Sequence, residues 1–176
     1  MDIILTSSNH SKQVFENTSF EKQDKNTGKK GELKCTTPVS VLFEGANLEI
    51  YKPVKEFTNK KLYDHIKDIP EKFAYLFVGH WMKGQIGEDR KNVGLLIKAF
   101  YELFKNKKKK PALILKMSGG GASYMDRYEM QKRIQSIRKS VPASLLPNVY
   151  LLHGEFNDSE INELYKHPKV KAMVSL

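Results

Sequence analysis

The stretch FVGHWMKGQIGEDRKNVGLLIKAF, Phe77 to Phe100, opens as an unbroken apolar strand and closes as a helix with one apolar face. Val93, Leu96, Ile97 and Phe100 recur at amphipathic helical spacing. Between strand and helix lie three glycines and the charged group Glu88, Asp89, Arg90 and Lys91. Two cations at a helix start run against the helix dipole, which favours negative charge there. One reading is a solvated cap in which Glu88 and Asp89 take the free N–H groups and a salt bridge forms. The other is that Arg90 and Lys91 are kept in place for a diphosphate. Spacing leaves both readings open.

Working outward, the same alternation repeats. Apolar strands are expected at 2–6, 39–43, 74–78, 112–117 and 149–152, with another beginning at Lys171. Helical patterns fall at 59–69, 91–105 and 124–139, with a short helical turn at 11–15. Asn157 followed by Glu160 has the form of a capping box and opens one more short helix. The polar stretch 16–37 has two glycines and little apolar periodicity, so it reads as a linker or mobile hairpin. Strands apolar throughout, separated by amphipathic helices, predict an α/β protein with a Rossmann-like, doubly wound parallel sheet. Ligands in such sheets sit beyond the carboxyl ends of the strands, near the switch in strand order. The informative loops are therefore 79–92, 118–123 and 153–158.

Bulk properties set outer limits. The 176 residues suffice for one domain with a core, or one domain and part of another. A formal charge of +10 suits nucleic acid, phosphorylated ligands or an anionic membrane without choosing among them. The single cysteine, Cys35, excludes a disulfide within the chain and is expected to be a plain structural residue. No apolar run approaches the roughly 18 residues of a membrane span, and the start lacks a signal-peptide pattern. The chain reads as cytoplasmic.

Other candidate sites are weaker. Ser118-Gly119-Gly120-Gly121 follows a strand but is neither GxGxxG nor a P-loop, and a tight turn explains it unless the neighbouring loop brings a ligand. Lys105 to Lys110, KNKKKK, ends a helix, where lysines suit the dipole. A nucleic-acid patch is the lesser reading, because no aromatic residues interleave with the lysines. The five histidines show no metal-ligand spacing, and no metal is expected. His80 and His153 both follow strands on the ligand side. No Ser-His-Asp set or nucleophile elbow is present.

The order of these segments resembles the GT-B glycosyltransferases, and within them glycosyltransferase family four. DIILTSSNHSK is similar to the end of that family's acceptor domain. LFEGANLEIYKP is similar to its "pxGvDxxxFxP" segment, with Gly45 and Pro53 matching and Asn47 in place of the usual Asp. YLFVGHWMKGQIGEDRKNVGLLIKAF is similar to "fvGr…KG…LlxAf". LILKMSGGG, VYLLHGEFNDSEINELY and VKAMVSL follow the later motifs in order. The resemblance covers nearly the whole chain. It implies that residues 1–15 are the last strand and turn of the N-terminal acceptor domain. Residues 38–176 are then the first part of the donor domain, truncated before the paired glutamates that follow the final motif.

Further expectations come with the resemblance. The family's phosphate lysine falls on Lys91, the literal Lys83-Gly84 lying too far ahead of LLIKAF. The usual arginine position holds His80, and Arg90 stands nearby. Gly79, His80, Arg90, Lys91 and Asn92 would contact the donor; Gly119 and Gly120 would approach the nucleotide; Gly154, Phe156 and Asp158 would border the base. The resemblance implies retaining transfer of a hexose from a UDP- or GDP-sugar, which is substrate rather than cofactor, to an unknown glycan, lipid or protein acceptor. No catalytic residue is expected in this chain, which alone should be inactive. The exposed edge of its last strand is expected to make it marginally stable or self-associating. The rival readings are a basic nucleic-acid module centred on 105–110 and a structural fragment without ligand.

Overall fold

The computed structural model describes residues 2–82, 84 and 86–176, so Lys83 of the literal Lys83-Gly84 pair lies outside the described residues. Contacts divide the chain into two compact units, residues 1–47 and 48–176.

In the first unit, strand β1 (Ile4–Thr6) runs into helix α1 (Asn9–Asn17), whose N-cap Ser8 accepts the Ser11 N–H at 3.1 Å. The helix is longer than the single turn expected and takes in the start of the polar stretch. The remainder of that stretch forms an antiparallel hairpin, β2 (Ser19–Gln23) with β3 (Lys30–Lys34), and every residue of both strands is exposed. Asp24 closes its turn by accepting the N–H groups of Asn26 and Thr27. Strand β4 (Val39–Val41) was expected to lead the second domain. It pairs in parallel with β1 instead and belongs to the first unit. The Leu42 N–H bonded to the Thr6 carbonyl at 2.8 Å extends that ladder.

The second unit begins with an irregular segment and helix α2 (Lys60–Lys67), capped by Asn59, whose side chain accepts the Leu62 N–H at 2.9 Å. Four strands follow, β5 (Ala74–His80), β6 (Ala112–Ser118), β7 (Val149–Leu152) and β8 (Val170–Met173). They alternate with α3 (Val93–Phe104), α4 (Tyr124–Ser140) and α5 (Asp158–Lys166). The sheet is parallel throughout, in the order β7-β6-β5-β8.

The alternation of side chains across each strand decides the layering. Phe77, Leu113, Leu115 and Met117 face one way and pack with Val93, Ile97 and Phe100 of α3 and Met130, Ile134 and Ile137 of α4. Leu76, Ala112 and Ile114 face the other way, against Leu62 and Ile66 of α2 and Leu164 of α5. The doubly wound, Rossmann-like α/β expectation holds. Counted from β5, the strand order is third, second, first, fourth, so chain progression reverses between β5 and β8. A ligand crevice belongs at their carboxyl ends.

Ile97, with no exposed surface, sits at the centre of the α3 packing. Ile97→Ala should cost about 3 kcal/mol in denaturant unfolding. Lys98→Ala, on the exposed face of the same helix, should stay within about 0.5 kcal/mol of the parent.

Candidate anion site at the strand ends

After β5 the chain turns toward α3, and Asp89 organises that entry. Its Oδ1 accepts the N–H groups of Lys91 and Val93, both at 3.2 Å, and its carbonyl accepts that of Asn92 at 2.9 Å. Asp89 is buried, and its Oδ2 has no hydrogen-bond partner among the described residues. Asn92 holds the N-cap position in the left-handed region at φ 48 and makes no side-chain cap bond, so Asp89 does the capping. The helix therefore starts at Val93, and Lys91, expected inside its first turn, lies just ahead of it.

Lys91 lies beside Gly79. A Cβ on Gly79 would crowd the Phe77 ring at 3.1 Å and stand at an ordinary contact distance, 3.9 Å, from Cε of Lys91. The bare backbone at the end of β5 therefore accommodates the Phe77 ring, with the lysine stem running alongside. Among the described residues neither Lys91 nor Arg90 forms an ion pair. Lys91 is half-buried and Arg90 exposed. His80, also at the end of β5, bonds through Nδ1 to Oγ of Ser118 at 3.0 Å, the residue it faces in register on β6. Gly79, His80 and Lys91 thus converge at one strand end, while Arg90 stands on the rim.

The glycine loop after β6 is only partly open. The Gly119 N–H donates to both carboxylate oxygens of Asp126, at 3.1 and 2.9 Å. Asp126 Oδ2 also lies 2.7 Å from Nε2 of His153, which follows β7. Burial alone would raise the Asp126 pKa. Hydrogen bonds from His153 and Gly119, with the charges of His153 and Arg133, outweigh it and hold the carboxyl below its usual 3.8. Gly119 is therefore committed to Asp126, whereas Gly120, at φ 131, has open space where a side chain would stand.

The third loop is held from beneath. Lys116 donates to the Gly154 carbonyl at 2.8 Å and lies 4.6 Å from the centre of the Phe156 ring. Burial pushes its ammonium pKa down. Gly154 sits at φ 118, a conformation that favours glycine. Asp158 opens α5 beside the observed Asn157–Glu160 capping box, and its Oδ1 accepts the Tyr51 hydroxyl at 3.4 Å. Arg133 of α4 donates to the Met82 carbonyl at 3.2 Å and stacks 5.4 Å over the Trp81 ring, fixing the start of the post-β5 loop.

Sequence reasoning missed Asp126, Arg133 and Lys116 as organisers. Asp126 carried one signal, Ser123 three residues ahead, whose hydroxyl caps the Asp126 N–H at 3.1 Å. Arg133 and Lys116 carried none, because their partners are distant in sequence.

The larger concavities lie elsewhere, one of about 600 Å³ lined by Pro53, Lys55, Thr58, Ser159 and Glu163. Its buried carboxylate is already committed. Glu163 accepts the N–H and hydroxyl of Thr58 and the N–H of Asn59 at 3.1 Å, stapling the irregular segment to α5. That hollow is a packing seam, and strand topology outweighs it as a guide to the site. Among the described residues no group of three or more His, Cys, Asp or Glu side chains is placed to hold a metal. No helix there is long and apolar enough to cross a membrane.

The depressed Asp126 pKa carries a sign. A carboxylate whose pKa is lower folded than unfolded stabilises above the unfolded value, and that stabilisation fades as pH falls through the folded value. Asp126→Asn should lose about 1–2 kcal/mol at neutral pH by denaturant unfolding. The gap to the parent should close in acid below about pH 4. A gap unchanged to the lowest accessible pH would mean that the charge of Asp126 is not what stabilises.

No family model matches the chain, and no curated protein matches it. Among solved structures it is similar to one described as trehalose-6-phosphate from E. coli bound with UDP-2-fluoro glucose. The match has a TM-score of 0.51 at 13% identity and covers 94% of this chain. This chain spans 38% of the length of that one. At that identity the likeness establishes fold and nothing finer, and it does not reach as far as family four. The chain has a Rossmann-like α/β fold of the GT-B type.

Proposed function

We propose that the chain is part of a retaining glycosyltransferase of family four, and that its second unit binds the diphosphate of a UDP- or GDP-hexose. One observation carries the reading. Lys91, which forms no ion pair among the described residues, lies beside Gly79 at the carboxyl end of β5, where strand order switches. The solved structure bound with UDP-2-fluoro glucose supports a nucleotide-sugar donor, and UDP before GDP. Residues 1–15 are then the end of an acceptor domain.

The geometry refines the division of labour. Asp89 already takes two N–H groups at the start of α3 and balances the dipole there. The Lys91 ammonium, rather than free amides, is left to meet the diphosphate. During transfer negative charge builds on the leaving diphosphate. A cation already in place stabilises it more than it stabilises the bound donor, which is how the site would contribute to rate. Arg90 on the rim adds long-range attraction. With Gly119 bonded to Asp126, Gly120 is the glycine whose backbone is open to a ligand. His80 is tied to Ser118 and forms a hydrogen-bonding wall where the family carries arginine. Phe156 and Gly154, braced by Lys116, would border the base, with Asp158 farther out.

Titration with UDP and with GDP tests this. Lys91→Ala should weaken binding by about tenfold or more, the worth of a charge-assisted contact to phosphate. Arg90→Ala should weaken it less, and raised salt should shrink the Arg90 effect first. Equal affinity of parent and Lys91→Ala for both nucleotides would remove Lys91 from the role.

A further inference from the structure

At the opposite end of the sheet lies a basic surface that the proposed site does not use. Helix α3 ends at Phe104, and Lys105 pairs with Glu102 at 2.6 Å. That pair accounts for one lysine of the run. Lys107, Lys108, Lys109 and Lys110 form no ion pair among the described residues. Glu71 also lines their groove, and its carboxylate is already engaged, accepting from the Asn148 amide at 2.6 Å and the Tyr150 hydroxyl at 3.1 Å. The groove, of about 350 Å³, is lined by Lys108, Lys109 and Lys110 together with Lys72, Phe73 and Leu146.

Apolar side chains are held beside this charge. Asn106 adopts the left-handed conformation at φ 57 and turns the chain. Its N–H donates to the Leu145 carbonyl at 2.8 Å, and its side-chain oxygen accepts from the Leu145 N–H at 3.3 Å and the Ser144 hydroxyl at 3.2 Å. Leu145 is thereby fixed next to the start of the lysine run and is 55% exposed, while Leu103 in the last turn of α3 is 66% exposed. Like charges crowded together and leucines in water are both costly. One partner relieves both, a bilayer with anionic headgroups for the lysines and an acyl boundary for the leucines.

We infer that Lys107–Lys110, flanked by Leu103 and Leu145, form a docking surface for an anionic lipid bilayer. Nucleic acid would satisfy the lysines but buries two leucines less fully than an acyl boundary does, and no aromatic residue interleaves with the run to stack on bases. The surface collects at the amino ends of β5, β6 and β7. The seven residues of β5 set it about 20 Å from the candidate anion site. A docked chain therefore keeps that site open to solvent.

Co-sedimentation with vesicles of phosphatidylcholine, with and without phosphatidylglycerol, tests the inference on the full chain. Binding should be tighter to the anionic vesicles by on the order of a hundredfold, and replacing all four lysines with glutamine should abolish that difference. Leu103→Ser with Leu145→Ser should weaken anionic-vesicle binding by about tenfold while leaving its salt dependence in place. Circular dichroism checks that both variants keep the parent fold. Vesicle binding by the glutamine variant equal to the parent's overturns the inference. So does undiminished vesicle binding by the serine variant. Binding to a single-stranded oligonucleotide that survives the serine changes, with no binding to either vesicle, would assign the surface to nucleic acid instead.

Discussion

Strand β5 is the constraint on which the second unit depends. It is hydrogen-bonded along both edges, to β6 over its whole length and to β8 near its start. It is also covered on both faces, Phe77 meeting the α3–α4 layer and Leu76 the α2–α5 layer. A strand in that position satisfies its backbone through its neighbours and buries every side chain it can, which leaves little freedom in its direction or register. Its carboxyl end is consequently a rigid platform. Gly79, His80 and the Lys91 stem are placed by it.

On that platform, two hydrogen-bonded carboxylates set which backbone groups are left open. Asp89 closes the start of α3 and Asp126 closes the Gly119 amide. Each puts a negative charge where a helix start or glycine turn would otherwise attract an anion. The effect is selective. Negative charge next to amides discourages an anion there, so on the proposed reading the lysine ammonium and the open backbone at Gly120 are the groups left to meet a diphosphate. Asp126 also joins two loops, because His153 after β7 shares its carboxylate with Gly119 after β6. Arg133 brings the post-β5 loop into the same framework through Trp81 and Met82. One helix, α4, thereby braces all three ligand-side loops.

The edges of the sheet behave differently from its centre. β8 pairs only with β5 within the described sheet, and Met173 at its end is 55% exposed. In the first unit the hairpin carries Phe20 opposite Leu33 with both exposed. These strands have one edge unpaired along its length, whereas β5 and β6 have a partner strand on both sides.

Most of the architecture was legible in the sequence because it rests on local periodicity. Apolar runs at 74–78, 112–117 and 149–152 became β5, β6 and β7 with ends moved by at most a few residues, and the Asn157–Glu160 capping box formed as spaced. The Gly79 loop and the glycine turn were also legible as features at the carboxyl ends of buried strands. What the tertiary structure alone decided was partnership across distance. Of the two acids the sequence offered as caps, burial at the helix start selected Asp89. Asp126 claimed Gly119 because α4 packs over β6 and β7. Val39–Val41 pairs in parallel with β1, thirty-odd residues away in sequence. Periodicity is a property of neighbours along the chain. Hydrogen bonding between a carboxylate and a remote amide depends on long-range packing, and no short spacing in the sequence encodes it.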